Sequence, residues 1–401
     1  MSLTTPPDRH EIVRRAHHDA VLNAVLTAGP ISRSGIGELT GLSKPVVLAV
    51  VAELSTNALI LCDGQAEGRV GRAPELYVVN PRAGFIVGLD LGGTKLRAAI
   101  ADLDGGVLRE LVEPTDPNGG ELVADQIRDL VRRLARASRI PLKRISAIAI
   151  GSPGVADQHG RMQLAVNLSG LSEISLTDHI LRAFPNTVVV VENDVNIAAI
   201  GERYEGSGVG CDNLVVLSIG TGIGAGLIVG GRLLRGHHGA AGEVAWLTIG
   251  ADPATHEART KGALEVAAAG EGIRRMLRHA VRSRPTGAKL VDASVAEIFA
   301  AAVTGDRDAQ EVVRAEAELV ACAVMSIVSV VDPEMVVLAG GIGSNPDLLP
   351  RVRAYLERLS PFPIRVESSK LGERSGVVGA LALARGIARN AHFGEPTDAN
   401  R

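Results

Sequence analysis

The chain has 401 residues, a length that predicts two or three domains rather than a single core. Its 46% hydrophobic and 22% charged residues are typical of a globular protein, and the net charge of −3 excludes a chain coated in basic residues for non-specific nucleic-acid binding. The three cysteines (Cys62, Cys211 and Cys322) are widely spaced and odd in number, which indicates a reducing compartment rather than a disulfide framework.

The N-terminal residues contain no apolar stretch typical of a secretory signal. The longest strongly apolar run, residues 319–331, is shorter than the ~18–20 residues that cross a bilayer. We therefore expect a cytoplasmic protein that has no membrane partner.

The first eighty residues differ in pattern from the rest and predict three helices and a hairpin. Apolar residues recur at helical spacing in three segments, residues 12–28, 32–40 and 43–58. Two strand-like segments follow, residues 59–61 and 76–79, with a polar loop between them. This order is the outline of a winged helix-turn-helix, which we predict for residues 1–82.

Within this region, Gly41 stands at the turn between the second and third helices, and Ser43 and Pro45 suit the start of the third. The candidate DNA contacts are Arg33 and Ser34 for phosphates, Ser43 and Lys44 for bases, and Arg69 and Arg72 in the wing. The third helix is unusually apolar over residues 46–51, and residues 1–82 hold eight basic and eight acidic side chains. A three-helix accessory domain is therefore the alternative to a DNA-binding module.

From residue 85 onward, strands alternate with helices, which predicts an α/β arrangement. The predicted strands are residues 85–89, 96–101, 145–150, 187–192, 213–219, 224–229 and 335–338. The predicted helices include residues 121–137 and 309–330.

A turn rich in glycine and threonine occurs twice in this part of the chain. Residues 90–95 and residues 219–224 each lead directly into an apolar strand. Glycine lets backbone N–H groups approach phosphate oxygens, and threonine and lysine side chains add donors. Either turn alone would also suit a structural hairpin, but the pair predicts two facing lobes with a nucleotide site. The candidate phosphate-binding residues are Asp90, Gly92, Gly93, Thr94, Lys95, Gly220, Thr221, Gly222, Gly224, Gly340 and Gly341.

Taken in order, these motifs resemble those of the ROK family of sugar kinases and repressors. Residues 90–95 and 219–226 resemble its two phosphate motifs, and residues 192–196 resemble its sugar-binding and catalytic stretch. Residues 151–154, followed by Asp157, resemble the loop between them, and residues 239–246 resemble its Gly-Glu-x-Gly-His segment.

The resemblance implies an α/β protein with the actin-like (ribonuclease-H-like) two-lobed ATPase and sugar-kinase fold, joined to the N-terminal winged helix-turn-helix. We expect a first lobe at residues 83–205 and a second at residues 206–401, with the C-terminal helix returning to the first lobe.

By the same resemblance, Asp194 is the catalytic general base. The implied sugar-binding residues are Asn193, Asp194, Glu243, Trp246 and Glu265. Position alone favours another interpretation of the Asn193–Asp194 pair, in which one of the two caps a helix. Trp246 stands where the family has histidine, and filling space is the alternative to stacking on a sugar.

The family's zinc motif, Cys-x-Cys-Gly-x-x-Gly-Cys-x-Glu, falls on residues 256–265. Gly262 and Glu265 are present, but all three cysteines are absent. Structural zinc requires four ligands, and His256 alone cannot hold it. We therefore predict no zinc and no other bound metal at this segment; the phosphate motifs are compatible with ATP and Mg²⁺.

These features predict a sugar-responsive transcriptional regulator, most consistent with a repressor, that binds operator DNA. A sugar or sugar phosphate in the interlobe cleft would be the effector, and the protein would act as a homodimer or a higher homo-oligomer because helix-turn-helix proteins read paired half-sites. The alternative is an ATP-dependent sugar (hexose) kinase with a vestigial DNA-binding domain.

Overall fold

The structure, a computed structural model, describes residues 9–65, 73–156, 162–163, 170–282, 290 and 292–394. The N-terminal part consists of three helices and a small antiparallel sheet. The helices are α1 (Arg9–Ala28), α2 (Arg33–Thr40) and α3 (Lys44–Thr56), and the strands are β1 (Ile31–Ser32), β2 (Ile60–Gln65) and β3 (Glu75–Val79), in the order β1-β3-β2. The three helices, the β2–β3 hairpin and their order along the chain agree with the predicted winged helix-turn-helix.

The turn between α2 and α3 has helix-turn-helix geometry. The chain changes direction by 116° between the two helices, within the range of ~90–120° typical of this motif. Gly41 ends α2 with a φ of +69°, a conformation that glycine adopts without strain. Ser43 occupies the N-cap position of α3, but its hydroxyl accepts no hydrogen bond from the helix, contrary to the capping role expected of it.

The first lobe is built on a five-stranded sheet. Its strands are β4 (Phe85–Leu91), β5 (Lys95–Asp102), β6 (Val107–Pro114), β7 (Ile145–Ser152) and β10 (Val188–Asn193), in the order β10-β7-β4-β5-β6. The short pair β8 (Val155–Ala156) and β9 (Met162–Gln163) lies between β7 and β10 in the chain. The helices of this lobe are α4 (Gly120–Ala137), α5 (Leu176–Ala183) and α6 (Asp194–Tyr204).

The second lobe repeats this topology. Its strands are β11 (Leu214–Ile219), β12 (Ile223–Val229), β13 (Arg232–Leu233), β14 (Met335–Ala339) and β15 (Val366–Ser368). In both sheets the first three strands pair antiparallel and the last two add in parallel beside the first. The two Gly/Thr turns therefore occupy equivalent hairpins of two related sheets.

Helices cover the second sheet and connect its strands. They are α7 (His256–Lys261), α8 (Ala263–Ala268), α9 (Gly270–Arg282), α10 (Val295–Val303), α11 (Arg307–Val331), α12 (Gly340–Gly343) and α13 (Leu348–Leu359). Of the helices that the structure describes, none by itself is long and apolar enough to span a membrane; α2 and α3 meet the length and composition criteria only as a sharply bent pair.

The last helix, α14 (Ser375–Phe393), packs against β4 and α6 of the first lobe through glycines. A Cβ on Gly379 would overlap the carbonyl oxygen of Ile197 in α6, and a Cβ on Gly88 in β4 would lie 2.6 Å from the backbone nitrogen of Leu381. The backbones of the three elements are thus in direct contact.

The C-terminal half of α14 also approaches the N-terminal domain, where it contacts α1. Buried residues of that domain, such as Val21 and Ile36, belong to the same hydrophobic cluster as Ala388 and Phe393 of α14. One helix therefore links the first lobe to the helix-turn-helix.

The glycine contact at α14 generates a stability prediction. Gly379→Ala should destabilise the protein by about 3 kcal/mol, because the added methyl meets backbone that cannot move aside. Gly386→Ala in the same helix is the matched control, since a Cβ there meets nothing within 4 Å and alanine favours helix by up to ~1 kcal/mol. Thermal unfolding followed by circular dichroism measures both, and equal unfolding temperatures would contradict the close-packing account.

Candidate functional site

Two carboxylates from different elements converge on a cavity between the lobes. Asp90 lies at the end of β4, and Asp194 is the first residue of α6. Both line a cavity of about 350 Å³, together with residues of the second lobe and of the turn before α14, among them Ser218, Gly340, Gly341 and Glu373. Sequence motifs separated by a hundred residues thus meet at one site.

The carboxyls hold their protons more tightly than free carboxylic acids. Burial, followed by the negative charge of Asp194, raises the pKa of Asp90 to about 7, while Arg97 opposes the shift. Burial also raises the pKa of Asp194, although its own backbone contacts lower it. Near neutral pH the carboxyl group of Asp90 can therefore donate as well as accept a hydrogen bond.

Asn193 is the N-cap of α6, one of the two alternatives that the sequence left open. Its Oδ1 accepts hydrogen bonds from the backbone N–H groups of Val195 and Asn196 at 2.9 and 3.0 Å, and its Nδ2 donates to the carbonyl oxygen of Gly154 at 3.0 Å. The cap fixes the start of α6 and hence the place of Asp194. One N–H of the amide is left for a ligand.

Glu243 lies within electrostatic reach of Asp194 and of a third carboxylate, Glu265. Burial raises the pKa of Glu243, and the charges of Asp194 and Glu265 add to that rise. Burial raises the pKa of Glu265 as well, and its carboxylate accepts a hydrogen bond from the N–H of Ile223 at 3.0 Å. The structure thus gathers Asp194, Glu243 and Glu265 in one region. Trp246 is 44% exposed and is not among the residues that line the cavity.

The two Gly/Thr turns lie beside this cavity. In the first, the N–H of Gly92 donates to the carbonyl of Lys95 at 2.9 Å, and the hydroxyl of Thr115 donates to the carbonyl of Gly92 at 2.7 Å. In the second, Gly220 and Thr221 line an adjoining cavity of about 420 Å³. Gly341 lines both cavities, which makes the two spaces neighbours.

Lys95, the cation of the first turn, is paired with Glu373. Its Nζ lies 3.2 and 3.3 Å from the two carboxylate oxygens of Glu373, which also approaches Arg97 at 3.4 Å. Arg97 is held in turn by Glu110 at 2.7 Å. Sequence reasoning missed Glu373 and Arg97. The position of Arg97 opposite Asp90 in the β4–β5 pair is a usable signal, but no local pattern marks Glu373.

A second ion pair joins the lobes at the other side of Asn193. The Nε of Arg235, which follows β13, donates to Glu192 at the end of β10 at 2.7 Å. The side chain of Glu192 is only 10% exposed and also accepts hydrogen bonds from Asn196 and from the N–H of Asn193, both at 3.0 Å. This contact couples the lobe interface to the helix start that places Asp194.

The segment that resembles the zinc motif is held without metal ligands. The hydroxyl of Thr255 caps α7, and Glu257 forms an ion pair with Arg275 at 2.9 Å. Across the part of the chain that the structure describes, no group of three or more His, Cys, Asp or Glu side chains is arranged to hold a metal ion. The residues present at this segment do not fit a zinc site.

In the N-terminal domain, the predicted DNA contacts differ in availability. Arg33 is engaged within the domain, where it contacts the hydroxyl of Tyr77 and pairs with Glu75 at 2.9 Å. Ser34 shares a 2.9 Å hydrogen bond with Ser32, whereas Ser43 and Lys44 are exposed at the start of α3. The wing residues Arg69 and Arg72 lie outside the described residues.

Fold and site together define a two-lobed protein of the sugar-kinase type with an added N-terminal domain whose three helices and small sheet are consistent with a winged helix. Residues 86–387 match the ROK family model, and the chain belongs to this family. The xylose repressor of Caldicellulosiruptor bescii is 29% identical over 388 residues, which cover 93% of this chain and 96% of that relative.

Solved structures give the same fold. The crystal structure of a ROK family transcriptional regulator, a homologue of the E. coli MLC protein, matches with a TM-score of 0.73 and 23% identity, covering 95% of this chain and 98% of its own. A ROK family glucokinase from Streptomyces griseus, in complex with glucose and AMPPNP, matches with a TM-score of 0.61 and 28% identity. That match covers 99% of the glucokinase but 75% of this chain.

The raised pKa of Asp90 predicts a pH-dependent stability. Between its ordinary value of 3.8 and about 7, the unfolded chain loses a proton that the folded protein keeps, so wild-type stability should fall as pH rises through this window. Asp90→Asn removes the titration, and its unfolding temperature relative to wild type should rise from pH 5 to pH 8.

Asp19→Asn, at an exposed position on α1, is the control and should show the same difference from wild type at both pH values. A pH-independent difference for Asp90→Asn would contradict the buried-carboxyl account.

Proposed function

We propose that this protein is a sugar-responsive transcriptional repressor that binds operator DNA and releases it when a sugar occupies the cleft between its lobes. The proposal rests mainly on the contact between the two parts of the protein: residues of the N-terminal domain and of the first lobe belong to one hydrophobic cluster, which includes α14. The alignment with the xylose repressor supports it, because that alignment spans 93% of the chain and therefore includes most of the N-terminal domain.

The effector, in this proposal, is a neutral sugar rather than a phosphorylated one. Three carboxylates, Asp90, Asp194 and Glu373, line the cavity, and none of the described residues that line it is lysine or arginine. A phosphate dianion there would face negative charge without a lysine or arginine in the cavity lining to offset it. The neutral hydroxyl groups of a sugar can instead donate hydrogen bonds to these carboxylates.

An ATP-dependent sugar kinase is the second candidate. The adjoining cavity at Gly220, Thr221 and Gly341 supports it, as does the similarity to a glucokinase solved with glucose and AMPPNP. ATP bound there would supply the phosphoryl group, and Asp194 would accept the proton of the attacking sugar hydroxyl. The altered segment at residues 256–265 weighs against turnover.

Fluorescence anisotropy on DNA from upstream of the protein's own gene, with scrambled DNA at the same salt, tests the repressor function. We expect specific binding that D-xylose or D-glucose weakens. Binding equal to that on scrambled DNA, with or without sugar, together with sugar phosphorylation in a coupled ATP assay, would favour the kinase instead.

Asp194→Ala separates the two functions. We expect it to leave DNA affinity without sugar within about two-fold of wild type, since Asp194 lies in the cleft, and to abolish the effect of sugar. Any phosphorylation by the wild type should fall by about 10²–10⁴-fold, the contribution of a general base. Phosphorylation retained by the variant would remove Asp194 from the role of base.

A further inference from the structure

The recognition helix α3 has one buried and one exposed face. Its buried face consists of Val47, Val50, Val51 and Leu54, each at most 6% exposed. The exposed face consists of Lys44, Pro45, Leu48, Ala49, Ala52 and Ser55. Because these positions are three or four residues apart, they form a continuous stripe along the helix.

The middle of this stripe has no hydrogen-bonding side chain. Pro45, Leu48, Ala49 and Ala52 are all apolar, and Leu48 is 53% exposed. Glu53, the nearest carboxylate on the helix, is half-buried and engaged by Arg14 and His18 of α1. Between Lys44 and Ser55, the surface that α3 exposes to a binding partner is therefore apolar.

The position of the stripe points to the major groove of DNA. In a helix-turn-helix, the N-terminal half of the second helix meets the base edges. Lys44 precedes Leu48 by one turn, is exposed and forms no ion pair among the described residues, so a cation stands at the end of the stripe that approaches the phosphates. The positive charge of Lys44 is complementary to the phosphate charges of DNA and lies next to the apolar part of the stripe.

Each base pair offers hydrogen-bond donors or acceptors in the major groove, but the C5 methyl of thymine is the apolar feature there. Leucine and alanine side chains satisfy none of the polar groups at either kind of base pair, so burying those groups is unfavourable for A·T and G·C alike. The thymine methyl is the group that an apolar side chain can contact favourably, and an apolar recognition helix therefore discriminates in favour of A·T pairs.

We infer that α3 reads its operator through thymine methyl groups, with Leu48 and Ala49 packed against them in the major groove. This inference rests on the proposed DNA-binding function and specifies the half-site: A·T pairs at the positions opposite Leu48 and Ala49.

The test uses the full-length chain and duplexes selected by it from a random DNA library at fixed salt. Each thymine of the selected half-site is then replaced by deoxyuridine, which keeps base pairing and every polar edge but removes the methyl. We expect one or two of these replacements to weaken binding about four-fold each, as expected from exposing a methyl group, and the others to have no effect.

Leu48→Ala should abolish the sensitivity to deoxyuridine at one of these positions. Leu39→Ala is the matched control, since Leu39 is an exposed leucine on α2, outside the stripe, and its loss should leave the sensitivity unchanged. Both side chains are exposed, and thermal unfolding checks that the variants remain folded.

Selection of specific duplexes that tolerate deoxyuridine at every position would overturn thymine readout and leave the DNA-binding function standing. Failure to enrich any sequence would overturn the DNA-binding function and the readout together. A deoxyuridine effect that persists in Leu48→Ala would assign the methyl contact to a residue other than Leu48.

Discussion

The contact of α14 with the backbones of β4 and α6 is the constraint on which the rest of the structure depends. The backbone of α14 approaches that of α6 closely at Gly379 and that of β4 closely at Gly88. Asp90 lies at the end of β4 and Asp194 is the first residue of α6, so the packing of these two elements fixes the relative position of the two carboxyls. The same helix is about 28 Å long and extends to Phe393, which belongs to one hydrophobic cluster with residues of the N-terminal domain. This helix therefore connects the cleft to the N-terminal domain.

An exposed ion pair joins the first Gly/Thr turn to the start of α14. Lys95 of that turn pairs with Glu373, which lies in the turn that begins α14. This exposed pair is weak, worth ~0–1 kcal/mol, and it joins the first phosphate turn to α14. A ligand that contacts Lys95 or Glu373 would therefore act on the start of α14, the helix that reaches the N-terminal domain.

The sequence predicted most strands because they are buried apolar runs, as β4 and β14 are. It missed β6, an edge strand in which the charged residues Arg109, Glu110 and Glu113 interrupt the apolar ones and leave no long apolar run. Asp90 and Asp194 follow from motifs, since each motif is local in sequence. Glu373 could not be predicted, because its contact with Lys95 spans 278 residues.

The central claim is that sugar in the cleft and DNA on the helix-turn-helix favour different states of one molecule. The most direct test is the affinity for D-xylose, measured by calorimetry with and without saturating operator DNA. Linkage requires that DNA weaken sugar binding by the same factor by which sugar weakens DNA binding, typically ~5–150-fold. Weaker sugar binding in the presence of operator DNA, by a factor in this range, would support the account. Sugar affinity that is unchanged by DNA would contradict it.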